Sequence, residues 1–446
     1  MTILWFIVAI SVLVVVHEYG HFWAARRCGV QVLRFSVGFG NPLFSVRDKH
    51  GTEYSVAPLP LGGYVKMLDE REAEVPAHLK DQSFNSKSVS QRNFIAAAGP
   101  FANFIFAILA YWVLFMVGTT GVISDVGRVV DDSPAAVAGI EAGDRIVAVD
   151  GHQTTTWEDV NWRLINHLGE SGHIALTLED SNRIQRPVQL AIQNWLSESE
   201  QPDPMGSLGI QPRQLEVPAL VGSVVEGSAA EQAGFLPGDK VVAVDGMAIK
   251  DWFAWVELVQ QRAGVELQVE VLRDGNRQTL TLLPGSRTLD DGRQIGFAGV
   301  GAVQPEVPTE WLSTSSADPL TAMLRATGKT WDLITFTLDS LWKMLAGDLS
   351  VKNLSGPITI AKVAGASASG GLESFIQFLA LLSVSLGVLN LLPVPMLDGG
   401  HILFNLAEAV TGKPLPERVQ TVAMQMGIVM LFSLMAVAFY NDIGRL

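Results

Sequence analysis

Two histidines four residues apart, with a glutamate beside the first, stand as HEYGH (His17, Glu18, Tyr19, Gly20, His21) directly after the apolar run ILWFIVAISVLVVV. In a helix, residues at that spacing lie one above the other on one face. Two imidazoles so placed suit a single zinc ion. Glu18, not needed as a ligand, is free to act as general base on a water held there, so the chemistry expected is metal-assisted peptide hydrolysis. The same pattern occurs by chance in soluble helices. Inside an apolar segment, however, ionisable groups are costly in lipid and by default mark a functional site.

A catalytic zinc generally takes three protein ligands and keeps one position open. The best candidate for the third is distant: FIQFLALLSVSLGVLNLLPVPMLDGGH (375–401) is largely apolar until Asn390, Pro393 and Pro395 interrupt it and Asp398 follows. This reads as a broken membrane helix ending in an acid. His401 is an alternative, although an imidazole just past a Gly-Gly turn more often supports a ligand than serves as one. The single cysteine, Cys28, is better explained as a small residue just past a membrane helix.

The elements that must position these groups follow from hydropathy and charge. Of the 446 residues, 48% are apolar and only 17% charged, and mean hydropathy is +0.28, which indicates an integral membrane protein with a soluble portion. The net charge of −14 argues against nucleic acid as a partner. One cysteine excludes an intramolecular disulfide. Residues 1–25 are expected to form a retained first span, since a basic leader and a cleavage site are lacking. The loop 26–93 carries ten Lys and Arg between Arg26 and Arg92, which places it in the cytoplasm and the histidines toward that side. Within it, 43–67 reads as two strands around the turn at 48–51, closing in a Pro- and Gly-rich bend. An exposed strand edge there could capture an extended substrate by main-chain pairing. Further spans are expected at 94–118, 372–400 and 421–446, with a cytoplasmic loop at 401–420. Gly99, Pro100 and Asn103 interrupt the second span, and Asn103 is read as a packing residue. Residues 305–371 are expected to be a linker followed by an amphipathic helix on the membrane surface, with Trp331, Ile334, Leu338, Leu341, Trp342 and Leu345 on its apolar stripe.

Between the second and third spans the chain repeats itself. Gly139 matches Gly234, Gly143-Asp144 matches Gly238-Asp239, Asp150-Gly151 matches Asp245-Gly246, and Trp157 matches Trp252, a constant offset of 95 residues. A repeat of that length means duplicated domains, here 119–214 and 215–304, each a small β-rich module.

HEYGH in a first apolar segment, NLLPVPMLDGG (390–400) in a late one and two PDZ-like repeats between them resemble the site-2 protease family of intramembrane zinc metalloproteases, over essentially the whole chain. The fold class implied is a multi-pass α-helical membrane protein. It has four transmembrane helices, a membrane-reentrant β-hairpin, and two periplasmic PDZ-like domains inserted between helices 2 and 3. The resemblance implies that His17, His21 and Asp398 hold one Zn2+ per chain, that Glu18 is the catalytic base, and that Asn390 contacts the substrate backbone. Leu43, Phe44, Tyr54 and Val56 of the hairpin are expected to meet substrate. SLGI (Ser207, Leu208, Gly209, Ile210) is expected to be the peptide carboxylate loop of the second PDZ copy, with 121–123 as its less marked counterpart in the first.

Implied substrates are pre-trimmed single-span membrane proteins, such as an anti-sigma factor of the envelope stress response, and signal-peptide remnants, in the bacterial inner membrane. The PDZ copies would bind chain termini or act as a steric filter. The alternatives are a membrane-anchored PDZ scaffold with a non-catalytic metal site, and an anchored protease of soluble proteins. Glu18, which zinc binding does not require, weighs against the first, and burial of HEYGH in the apolar segment against the second.

Overall fold

The computed structural model describes residues 2–70, 75–199, 202–215, 217–288, 293–303 and 307–444. Helix α1 (Thr2–Arg27) runs unbroken through HEYGH, with Arg26 and Arg27 in its last turn. No Gly or Pro precedes Gly20 in it, so nothing interrupts the hydrogen-bond ladder before the histidines.

A four-stranded sheet follows: β1 (Val32–Phe39), β2 (Phe44–Arg47), β3 (Glu53–Val56) and β4 (Leu59–Met67), in the order β2-β3-β1-β4. β2 and β3 form the expected hairpin, whereas β1 runs parallel to β3 and antiparallel to β4. The Pro- and Gly-rich bend expected after the hairpin is instead the edge strand β4. An edge strand has one side free of ladder bonds and therefore tolerates Pro60, Gly62 and Gly63. Gly63 is required by close approach, since a Cβ there would sit 2.7 Å from Ser36 O and 2.8 Å from Val14 Cγ1 of α1. Arg26 fastens the sheet to the end of α1. Its guanidinium pairs with Asp48, donates to Thr52 Oγ1 at 3.1 Å and lies 4.4 Å over the Phe22 ring. The hydrogen bond from Arg26 holds the Asp48 carboxyl down at about 2.

Helix α2 (Val89–Val117) begins before the apolar span, at a capping box formed by Ser88 and Gln91, and continues through Pro100. Directly after it, strand Thr119–Val122 pairs with Leu312–Ser315, so entry to and exit from the insert lie side by side. The expected linker at 305–319 is thus partly a strand; its residues 305–306 lie outside the described residues.

Two modules of one plan occupy the insert. In the first, strands Gln185–Ile192, Gly172–Glu179, Arg145–Val149 and His152–Gln153 form a sheet, and Val126–Val129 pairs separately with Ile210–Pro212. In the second, Asn276–Leu282, Leu267–Arg273, Lys240–Val244 and Met247–Ala248 repeat the sheet, and Val221–Val224 pairs with Val300–Ala302. Each has its own core, around Ile146, Leu164 and Leu176 in one and Val241, Trp255 and Val269 in the other.

This arrangement moves SLGI to the first module. Ser207 and Leu208 end the short helix Pro204–Leu208, Gly209 turns at φ 79°, and Ile210 pairs with Val129. The counterpart in the second module is Ala298-Gly299-Val300, with Gly299 at φ 84°. Val130 N and Val225 N donate to Gly209 O and Gly299 O, each at 2.9 Å. In chain order SLGI abuts the second module, but its pairing partner lies far upstream. Residues 121–123 belong to the strand beside α2 and its edge, not to a carboxylate loop.

Helix α3 (Pro319–Ala346) then packs on α2. Its buried face is Ala322, Ala326, Thr330 and Leu333, while Trp331, Leu338, Trp342 and Leu345 are exposed. The stripe expected from bulky residues is therefore mostly the outward one, because small residues are what permit close helix contact. Next come α4 (Pro357–Ser369), α5 (Leu372–Leu391), α6 (Asp398–Thr411) and α7 (Glu417–Gly444). Most of the loop expected at 401–420 is thus helix α6. α2 is the hub on which α1, α3, α5 and α6 pack, with Ala107, Tyr111, Leu114, Ala380, Val384 and Val388 in the shared core.

α7 is largely exposed, and its contacts with the rest include two close ones. A Cβ on its Gly427 would lie 2.0 Å from Pro395 O, and its Asp442 carboxylate accepts from Gly356 N, Ile358 N, Thr359 N and Thr359 Oγ1 at the start of α4. Among the described residues, α1, α2, α5 and α7 are long and apolar enough to cross a membrane.

Candidate active site

Three elements distant in sequence meet around HEYGH. His17 and His21, both 9% exposed, point from α1 toward the start of α6. Asp398 occupies the first position of α6, reached by a tight return from the end of α5. The return leaves no room for side chains at Gly399 and Gly400, where a Cβ would lie 2.2 Å from Leu392 O and 2.4 Å from Val394 O. Met396, two residues before the acid, sits at φ 90°, a strained conformation for a residue with a side chain. About two to three turns further along α6, Arg92 of α2 clamps Glu408 through two bonds (2.6 and 3.0 Å) and reaches Asn405 at 3.2 Å, which fixes the rotation of the helix that carries Asp398.

The three donor groups form a small triangle. His17 Nε2 lies 3.2 Å from His21 Nε2 and 3.2 Å from Asp398 Oδ2, and His21 Nε2 lies 3.4 Å from Asp398 Oδ1. Zinc bonds of about 2.0–2.1 Å at tetrahedral angles demand a ligand-to-ligand spacing of about 3.3 Å. Asp398 Oδ2 is buried without a hydrogen-bond partner. His21 Nδ1 faces Ile95 O at 2.8 Å, which places the proton on Nδ1 and leaves the Nε2 lone pair aimed into the triangle. Two imidazoles and a carboxylate with one face open are a donor set for a catalytic zinc, and the residues fit that ion. Among the described residues this is the one cluster of three such groups close enough to hold a metal.

Glu18, half-buried, lies in the field of His17, His21 and Asp398, close to the backbone of β4. A Cβ on Gly63 would lie 3.3 Å from Glu18 Cγ, so β4 passes directly over the site. Its outer edge is unpaired in the sheet.

The structure thus brings together His17, Glu18, His21 and Asp398. Asn390 lies in the last turn of α5, half-buried. Leu43, Phe44, Tyr54 and Val56 are not at the site: they belong to the β2–β3 end of the sheet, opposite β4, and Tyr54 packs on Phe22 and Phe35. His401 is outside the cluster. Gly63 and Gly99, expected only as part of a bend and as an interruption of the second span, shape the site: Gly63 lets β4 pass close to Glu18, and Gly99 makes room for the His21 ring, where a Cβ would be 2.3 Å from Nε2. The signal available for the glycines was their presence in a strand and a helix that disfavour them.

Residues 5–434 match peptidase family M50. The chain belongs to that family. It is 45% identical over 441 residues to the regulator of sigma-E protease RseP of Escherichia coli K12, covering 99% of this chain and 98% of that one. It is 43% identical over 451 residues to protease RseP of Yersinia pestis and, at the same identity and length, to the regulator of sigma E protease of Haemophilus influenzae, each over the full length of both chains. Family M50 comprises the site-2 proteases, so the chain is a zinc metalloprotease and, with its apolar helices, a multi-pass membrane protein.

Proposed function

We propose that this M50 protease hydrolyses peptide bonds within the spans of single-span inner-membrane proteins already trimmed on the periplasmic side. His17, His21 and Asp398 hold one zinc per chain, and Glu18 is the base. The observation that carries the reading is the triangle of donors with Glu18 beside it, set in apolar helices. The names of its relatives point to an anti-sigma factor as one substrate and so to a role in sigma-E signalling; remnant signal peptides are a second class.

When bound, zinc supplies Lewis acidity, activating water near neutral pH and polarising the scissile carbonyl. Glu18 takes a proton from the attacking water and returns it to the departing nitrogen, so the amide and water become a carboxylic acid and an amine, which ionise to carboxylate and ammonium. A helical substrate hides its carbonyls in its own hydrogen bonds and must be extended to react. The free edge of β4 can hold such a strand by main-chain pairing, which shifts substrate capture from the expected Leu43, Phe44, Tyr54 and Val56 to β4. Asn390, at the end of α5, is proposed to meet the substrate backbone on the opposite side.

The two modules are read as periplasmic PDZ domains that exclude untrimmed substrates. Their matching glycine turns at Gly209 and Gly299, each followed by a strand with one free edge, support that assignment.

The test is cleavage by the purified protein in detergent of one substrate in two forms, full-length and periplasmically trimmed, alongside a soluble protein. Metal content is measured, and chelation is followed by zinc readdition. The expected result is about one zinc per chain, cutting inside the span of the trimmed form only, loss on chelation and recovery with zinc. Cleavage of soluble protein alone would overturn the intramembrane reading, and equal cleavage of both forms would overturn the filter.

Strand pairing predicts a period of two in the substrate. Replacing substrate backbone N–H by N-methyl at successive positions beside the cut should lower kcat/KM about 3- to 10-fold at alternate residues, the worth of one hydrogen bond, and hardly at those between. Uniform sensitivity along the segment would rule the β4 edge out.

A further inference from the structure

We infer that Asn103 of α2 is a positioning residue for the zinc ligand His17, accepting the Nδ1 proton so that Nε2 faces the metal. The inference rests on the zinc reading above. Asn103 is fully buried in the apolar core between α1, α2 and α5. Its side-chain amide lies 3.2 Å from His17 Nδ1 through Nδ2, and its Oδ1 is buried without a partner. Its backbone carbonyl accepts from Ser383 Oγ of α5 at 2.9 Å, which fixes the level at which the amide meets the ring.

A neutral imidazole carries one proton, on either nitrogen. With Asn103 donating to Nδ1, that proton sits on Nε2 and faces the His21 Nε2 lone pair, 3.2 Å away. This is a self-consistent arrangement for the metal-free site, but it uses the lone pair that zinc needs. Moving the proton to Nδ1 frees Nε2 and requires an acceptor at the place where Nδ2 stands. A half-turn of the carboxamide brings the orphaned Oδ1 there, because the two ends of the amide are nearly the same shape. Asn103 can therefore serve both tautomers, donating to one and accepting from the other. His21 has no such latitude, since its partner Ile95 O only accepts. α2, which supplies no ligand, thus sets both histidines, one through a carbonyl and the other through a reversible amide.

Metal-bound histidines lacking their outer partner lose affinity by about 10- to 100-fold. The experiment measures the zinc dissociation constant by chelator competition in detergent, with a thermal melt, for the wild type and for Asn103→Leu, Asn103→Asp and Ser383→Ala. Leucine keeps the approximate volume and removes the acceptor; aspartate keeps an acceptor at the same place; Ser383→Ala loosens the helix contact without touching the amide. The expected result is zinc weakened about 10- to 100-fold in Asn103→Leu, close to wild type in Asn103→Asp, and unchanged in Ser383→Ala even where its melting temperature falls. Wild-type affinity in a folded Asn103→Leu protein overturns the inference. So does equal loss in the leucine and aspartate proteins, or loss in all three variants that tracks the melting temperature, which would make Asn103 a packing residue. If Asn103→Leu does not fold, the comparison of Asn103→Asp with Ser383→Ala decides, and zinc loss confined to Asn103→Asp overturns the inference. A wild type without zinc would instead remove the reading on which it rests.

Discussion

Glu18→Gln abolishes cleavage and leaves the zinc in place. The glutamine is isosteric, so the close approach of β4 at Gly63 to Val14 and Glu18 of α1 is kept. The ligand triangle of His17, His21 and Asp398 does not include Glu18, so metal affinity has no reason to change. What is lost is the ability to take a proton from water. A positioned base contributes roughly 10²- to 10⁴-fold, and kcat should fall by about 10³-fold or more with KM and zinc content within about twofold of wild type. Glu18→Asp should also be severely impaired, since shortening by one methylene withdraws the carboxylate by about 1 Å, and such misplacement can cost about 10²-fold. Single-turnover cleavage with metal analysis of the same samples is the check. A glutamine protein that cuts within tenfold of the wild type would remove Glu18 from the mechanism, and a protein without zinc would make it a ligand or a structural support.

What was legible in the sequence is what a short stretch of chain determines. His17, Glu18 and His21 lie within one helical turn and a half, so their types and spacing suffice. Asp398 was legible because Pro393 and Pro395 break an apolar run, and an acid placed just after such a break is expensive unless used. The four apolar helices were legible for the same local reason.

Contacts made across the fold were not. β4 looked like a bend because its glycines answer to Val14 and Ser36, residues met only after the sheet has closed. SLGI was assigned to the wrong module because the pairing of Ile210 with Val129 spans the whole first module. The bulky stripe of α3, expected on the membrane surface, is outward, but the face that packs on α2 gives no such signal, because it is made by the small residues Ala322 and Ala326. Asn103 packs on the first helix as expected, but that its bond there is to His17, 86 residues away, only the fold reveals.

Gly99→Ala should empty the metal site without unfolding the protein, although the substitution adds one methyl and alters no ligand. The His21 ring lies flat against Gly99: a Cβ there would be 2.3 Å from Nε2, 2.7 Å from Cε1 and 2.8 Å from Cδ2. No rotamer adjustment of the methyl is possible, since it is fixed by the α2 backbone. The ring cannot tilt away without giving up its bond to Ile95 O, and α1 cannot translate away as a whole without opening the contact of Gly20 with Ala98 O. Overpacking of this kind costs about 1–3 kcal/mol, which a bundle of this size can absorb. A metal site tolerates far less, because its ligands must stay within about 0.5 Å of their working positions.

Zinc affinity should therefore fall by about 100-fold or more, with activity lost in parallel and the melting temperature lowered by a few degrees. Gly328→Ala is the control. That glycine lies in α3 with nothing within 4 Å of a Cβ, and alanine there should leave zinc and cleavage unchanged while stabilising the helix by about 0.5–1 kcal/mol. Zinc retained at wild-type affinity by Gly99→Ala would mean that the His21 ring does not rest on α2, and with it would go the claim that a helix without ligands sets the geometry of the ligands on its neighbour.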